Sequence, residues 1–387
     1  MSIFKKTLKK IFPSAFLKET FLIVNKIKIR TIDRLLFPEY SIDQTEFLVY
    51  RNGFPFRESQ ISVEDLPEDE VKAYMCSWYD WTQEEFLLVF NKPCWIEPDF
   101  GWAIVEPNKL VYYSLGVSRT WFQKKPSLLK FFRKKNTLVL PKAISLRDTG
   151  EENYFHFYND VVSKLFFLQQ QGMEIETIPV IISRKLWDKA YFQFTYQKHK
   201  RLQSLTWIVQ EADQYIRCDS VIFCKPLTHK KELWGNIISP LRVDVLKSGF
   251  RKIFLTRNKS RLRFIENSEV IEATAQRLGF EIIDTDELPI EEQIQIFSNT
   301  EFLVGIHGAG LTNMVFRNES CHVLELFPPA DLGYLPYHYI MLAKMSGFQY
   351  RAMIGKPSRV SFSGGFYVEP AQFDAVLKEF LLPDHNK

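Results

Sequence analysis

No run of consecutive apolar residues exceeds five, so nothing approaches the ~20 that a membrane-crossing helix needs. Cysteine is scarce: five, at 76, 94, 218, 224 and 321, an odd number with no Cys-x-x-Cys pair. That pattern excludes a disulfide scaffold and predicts reduced thiols in a cytosolic protein. With 16 glycines and 19 prolines in 387 residues, collagen-like and low-complexity chains are excluded as well. What is present is a globular composition, 46% hydrophobic and 25% charged, with 15% aromatic residues to fill a large core. At roughly 150 residues per domain, the length suggests two domains.

The net charge of +4 is unevenly placed. Residues 1–36 carry nine Lys/Arg against Glu19 and Asp33, a net of +7, which leaves the remainder at −3. These cations alternate with Ile3, Phe4, Leu8, Ile11, Phe12, Phe16, Leu17 and Phe21 at near-helical spacing. Such a segment fits either a basic amphipathic helix on an anionic membrane face or a solvated helix packed on the body of the protein. It lacks the continuous apolar stretch and small-residue cleavage site of a signal peptide. A second cluster, Arg119 to Lys142, holds eight Lys/Arg, no acids, and Trp121, Phe122, Leu128, Leu129, Phe131 and Phe132 among its apolar residues.

Residues 46–56 and 86–115 read as short strands and hairpins, and 137–146 as a further strand. A helix over about 152–171 follows, then strands near 178–183, 205–210 and 219–224. From 230 onward strands and helices alternate regularly, which predicts βαβ units on a parallel sheet. The expected organisation is a basic segment (1–40), a first lobe (41–235) and a second lobe (236–387) whose final helix crosses back.

Ligands in such sheets bind beyond the carboxyl ends of the strands. There, Gly305, Gly308 and Gly310 surround His307-Gly308-Ala309-Gly310-Leu311-Thr312-Asn313, which opens a helix. Close backbone approach and free helix N–H groups suit a diphosphate, although tight packing alone also demands glycine. The order is GxxGxG, not the dinucleotide fingerprint. Arg257 fits a phosphate clamp or a surface turn; Glu325 fits a ribose ligand or an ion pair. Earlier in the chain Asn153, His156 and Asp160 fall within about 60° on one helix face. A carboxylate four residues from a histidine can hold the imidazole as a general base, or the two form an incidental surface pair. Asp284-Thr285-Asp286 has the look of a metal-chelating pair but stands in an acidic loop, so no metal site is expected.

The stretches ENYFHFYND (152–160), FLTRNKSRLRFIENSEV (254–270), LGFEIIDTDELPIEEQIQIFSNTEFLVGIHGAGLTNMVF (278–316) and VLELFP (323–328) resemble glycosyltransferase family 61. Its bacterial members are associated with capsular or surface polysaccharide synthesis. The resemblance spans about 150–330 and implies a GT-B architecture, two Rossmann-like lobes facing across a cleft. It also implies inverting transfer without a bound metal. Matching positions are Asn153, His156 and Asp160, then Arg257, Arg263 and Asn267. Glu292, Gln293, Gly305 and 307–313 (less Leu311) follow, with Glu325 last. Where family members more often carry Trp, this chain has Phe157.

The expectation is therefore an inverting glycosyltransferase at the inner face of the plasma membrane. His156, oriented by Asp160, or Asp160 itself, acts as base, with Glu152 and Asn153 toward the acceptor. Arg257, Arg263, Asn267, 307–313 and Glu325 hold the nucleotide sugar. The expected partners are a glycan or lipid-linked acceptor and an anionic membrane, with no nucleic acid and no cofactor. A non-catalytic glycan- or nucleotide-binding protein on the same fold is the alternative.

Overall fold

The computed structural model describes residues 35–55, 82–115, 125–228, 230–243, 250–260, 262–329, 338–359 and 364–382. The basic segment lies outside the described residues except for its last positions, as do Arg119, Trp121, Phe122 and Lys124. Two compact units result: of the described residues, one holds 35–53 and 84–228, and the other holds 54–55, 82–83 and those from 230 onward. Among the described residues no helix is long and apolar enough to cross a membrane.

The first unit is built on nine strands: β1 (Phe47–Pro55), β2 (Thr82–Phe90), β3 (Cys94–Ile96), β4 (Ala103–Val105), β5 (Lys109–Val111), β6 (Thr137–Ser145), β7 (Val180–Ser183), β8 (Trp207–Gln210) and β9 (Tyr215–Lys225). Strands β9, β6, β7 and β8, adjacent in that order, run parallel. On the other edge of β9, β2 pairs with Val221–Lys225 and β3 with Ile216–Cys218, both antiparallel, and β4 and β5 continue from β3. The expected Rossmann-like lobe is thus corrected to a parallel block with an antiparallel extension. The reason is connection length, since the few residues between β2, β3, β4 and β5 leave no room for crossover helices. Alternation along β6 sends Leu138 and Leu140 into a core with Phe86, Ile96, Ile216 and Phe223 and leaves Val139 on the opposite face.

The second unit carries β10 (Arg251–Leu255), β11 (Glu281–Ile283), β12 (Thr300–Ile306), β13 (His322–Phe327) and β14 (Gln349–Ile354), all parallel in the order β11-β10-β12-β13-β14. Strand order reverses between β10 and β12, the place where open α/β sheets take ligands. Register puts Leu255 beside Gly305, and Gly305 beside Glu325. The loops after β10 and β12 therefore leave the sheet at one level. Helices Ser268–Arg277 and Pro370–Phe380 cover one face through Ile271, Ala275, Phe373 and Leu377, packed on Phe254, Val304 and Leu324. The first of them stops at Gly279, whose φ of 86° suits a residue without Cβ.

Candidate active site

In the first unit the predicted helix is one continuous rod, Tyr154–His156, Phe157–Val162 and Ser163–Gln170, whose middle turn is π-helical. The Ser163 hydroxyl donates to the Asn159 carbonyl, and the Ser163 N–H reaches back to Tyr158. A side chain that takes the i−4 carbonyl widens the turn, and such turns recur at functional sites. Tyr158, Val161, Val162 and Leu165 bury the opposite face.

His156 and Asp160 meet as expected, with His156 Nδ1 2.6 Å from Asp160 Oδ2. The histidine side chain is 31% exposed and the aspartate 8%. The other Asp160 oxygen accepts from Lys225 Nζ. Burial alone would raise the Asp160 carboxyl, but the Lys225 ammonium and the His156 hydrogen bond outweigh it and hold it well below the usual carboxylate range. A carboxylate so acidic, closed at both oxygens, is a poor proton acceptor. Of the two candidate bases, His156 is therefore the one the geometry favours. Asp160 is an acceptor only, so Nδ1 carries the proton and Nε2 is left as the basic atom. Gly150 packs on the ring, its absent Cβ leaving 3.2 Å to His156 Cδ2.

The neighbours expected to face an acceptor have local duties. Asn153 caps the helix, accepting from the N–H groups of Phe155 (2.9 Å) and His156 (3.4 Å). Glu152 lies within ion-pair reach of Lys185 and Lys189, and its carbonyl accepts from the Tyr191 hydroxyl. Sequence reading missed the buried charges behind His156. Lys225 closes β9, and Arg147-Asp148 follows β6, so all three stand at the carboxyl edge of the parallel block. Lys164 donates to Asp148 at 2.6 Å and to the Arg147 carbonyl at 3.3 Å, while Arg147 donates to both Glu151 oxygens and to Gln210. A lysine ending the apolar run Val221-Ile222-Phe223-Cys224 was the available signal.

In the second unit Arg257 and the glycine turn converge at the point of strand-order reversal. Arg257 Nε donates to the Leu262 carbonyl at 2.7 Å, and its Nη1 fills the space where a Cβ on Gly308 would stand. Gly310 likewise abuts Leu255 and Thr285. The segment Ala309–Phe316 is a 3₁₀-helix. Its first N–H groups have no acceptor within the helix. Arg263 sits at φ 65°, a left-handed conformation rare for a residue with a Cβ, and its N–H donates to Gly364 at 2.7 Å. Its charge acts on both His307 and Glu325.

Several of the expected ligands have partners inside the protein. Glu325, expected at a ribose, is fully buried and accepts from the Tyr350 hydroxyl at 2.6 Å while pairing with His307 Nδ1, so it braces His307. Burial pushes the Glu325 carboxyl up to about 8. Burial, reinforced by Arg263 and Arg257, holds His307 well below its ordinary value, and so neutral. Asn267 spends both ends of its amide on the Val368 backbone. Leu311, Thr312 and Asn313 are buried, with Asn313 donating to Gln293, which itself ties down the 285–288 loop. Backbone at 308–310 and the two arginines are what the turn offers a ligand.

Gly308→Ala tests this arrangement. Its backbone is extended, so a methyl group brings no strain, but it displaces the Arg257 guanidinium. The expected result is an unchanged melting temperature with nucleoside diphosphate affinity lower by about 10-fold, the size of a lost charge-assisted contact, read by calorimetry.

Among the described residues no group of three or more His, Cys, Asp or Glu is placed to hold a metal ion. Residues 154–324, which contain His156, Arg257 and the glycine turn, match the model of the Glycosyltransferase 61 family. The EGF domain-specific O-linked N-acetylglucosamine transferase of Rattus norvegicus is 31% identical over 114 residues, 28% of this chain and 21% of that protein. The protein O-linked-mannose beta-1,4-N-acetylglucosaminyltransferase 2 of Xenopus laevis is 21% identical over 301 residues, 70% of this chain and 52% of that protein. The chain thus spans about a fifth to a half of the curated relatives it matches. A solved dodecameric iron-containing heptosyltransferase superposes with a TM-score of 0.34 at 10% identity, over 78% of this chain and 83% of that one.

Proposed function

We propose, from the Glycosyltransferase 61 match and the residues inside it, that this chain transfers a sugar with inversion from a nucleotide-diphosphate sugar to a hydroxyl of a glycan or lipid-linked glycan. The observation that carries the reading is a partly exposed imidazole held by a buried carboxylate, in the same matched segment as a glycine turn filled by an arginine. His156 Nε2 takes the proton of the acceptor hydroxyl as its oxygen attacks the anomeric carbon. The bond from that carbon to the leaving phosphate breaks. Arg257, Arg263 and the N–H groups at 308–310 stabilise the departing diphosphate, and no metal is assigned a part.

A thermal-shift series with nucleoside diphosphates and nucleotide sugars, on the wild type and Arg257→Ala, tests the donor half. The expected result is stabilisation by one nucleotide family, lost in the variant, of about 2.7 kcal/mol at 100 times Kd. Stabilisation by none of them would remove the transferase reading.

The same proposal places the protein in bacterial surface or capsular polysaccharide synthesis, at the cytoplasmic face of the plasma membrane. The support is the basic segment 1–36 together with a described patch on the first unit. There Leu129 (59% exposed) and Phe132 (61%) of the helix Leu128–Phe132 are followed directly by the exposed Arg133 and Lys135, neither of which has an acid partner among the described residues. Each such cation contributes about 1 kcal/mol near an anionic surface. The chain is expected to sediment with phosphatidylserine vesicles and not with neutral ones, and to be released by 0.5 M salt. Removing residues 1–36 should leave part of that binding, and Phe132→Ser in the truncated chain should abolish it.

A further inference from the structure

Behind His156 lies a closed set of four charges, Asp148, Lys164, Asp160 and Lys225, with side chains no more than 10% exposed. They form two pairs, Asp148 with Lys164 at 2.6 Å and Asp160 with Lys225, which sum to zero when both carboxyls are ionised; burial raises the Asp148 carboxyl against the opposing pull of Lys164 and Lys225. The groups packed around them leave that sum intact. Cys224 is neutral, its thiol pushed by burial up to about 12, and Glu85 on the paired strand β2 faces Arg51 and the Leu227 N–H. Arg147 is matched to Glu151.

A bare buried carboxylate against an imidazole does two things at once. It orients the ring, and it drives the ring toward the imidazolium, which has no lone pair left for an acceptor hydroxyl. Lys225 separates the two effects. Its ammonium takes one Asp160 oxygen and cancels the charge, while the other oxygen still receives the Nδ1–H of His156.

We propose that Lys225 is a positioning residue for the reaction: through Asp160 it keeps His156 oriented yet neutral, so that Nε2 is free to accept a proton. This rests on the reading of His156 as the base. Burial would lower the Lys225 ammonium, but Asp160 and then Asp148 outweigh it and raise it instead, so the cation stays charged across the working range. Lys225→Met leaves the set with one uncompensated negative charge. Asn159 also donates to Asp160, at 3.1 Å, but its amide does not titrate, which leaves the partly exposed His156 as the titratable partner hydrogen-bonded to that charge.

The test is ring ¹⁵N NMR of His156 in the full chain, free of ligand. In the wild type at pH 7.5 the expected signature is Nδ1 protonated and Nε2 bare. In Lys225→Met the pH at which the ring takes its second proton should rise by about one unit or more, and Lys225→Arg should bring it back. A wild-type ring protonated at Nε2 overturns the proposal, even if neither variant folds. So does a folded Lys225→Met whose His156 titrates as in the wild type. Transfer activity is a separate readout. If the ring shifts as expected but His156 proves dispensable for transfer, the relay stands and the assignment of the base fails.

Discussion

His156→Gln is expected to lower the kcat of sugar transfer by about 10²–10⁴-fold, the range typical for a lost general base. Glutamine preserves a donor toward Asp160 but has no basic atom to take a proton. Because the Asp160–Lys225 pair stays closed and the side chain is partly exposed, stability should change by less than about 1 kcal/mol. The donor residues lie elsewhere in the chain, so KM for the nucleotide sugar should stay within a few-fold. Steady-state kinetics with a far-UV melt on the same preparation measures all three. A kcat within three-fold of the wild type would return His156 and Asp160 to an incidental surface pair.

Glu325→Gln is expected to change how stability depends on pH. The Glu325 carboxyl rises from 4.5 in the unfolded chain to about 8 when folded, because burial opposes its charge. A raised carboxyl contributes stability that is complete below 4.5 and is lost as pH climbs through 8, since the folded state holds a proton that the unfolded state has released. His307 acts in the opposite sense. Burial lowers it, so its contribution is complete above 6.5 and is lost as pH falls below that value. Between pH 6.5 and 8 the Glu325 slope therefore dominates this pair, on the order of 2 kcal/mol in favour of the lower pH. Glutamine cannot ionise, yet it can still accept from Tyr350 and donate to His307. Urea titrations at pH 6.5 and 8 should show the wild type losing that amount and the variant keeping it. Equal losses in both would mean that Glu325 is ionised in the folded protein.

Local pattern was enough for much of this protein. The regular alternation after 230 identified a parallel sheet because each strand's apolar run and each helix's periodicity are properties of contiguous residues. The same holds for His156 and Asp160, four apart on one helix, and for the glycine turn, whose backbone requirement is carried by the residues themselves. The roles of Glu325, Asn267, Thr312 and Asn313 were decided by tertiary structure. Whether a polar side chain faces a ligand or the interior depends on partners such as Tyr350, Val368 and Gln293, many of them distant in the chain. Lys225 shows this most clearly. The apolar run before it marks the end of a strand but names no partner, and it gains its meaning from Asp160, 65 residues earlier, when β9 lies parallel to β6 and burial turns a surface charge into a paired one. Periodicity is written along the chain. Charge pairing in a low-dielectric interior exists only once the chain has folded over it.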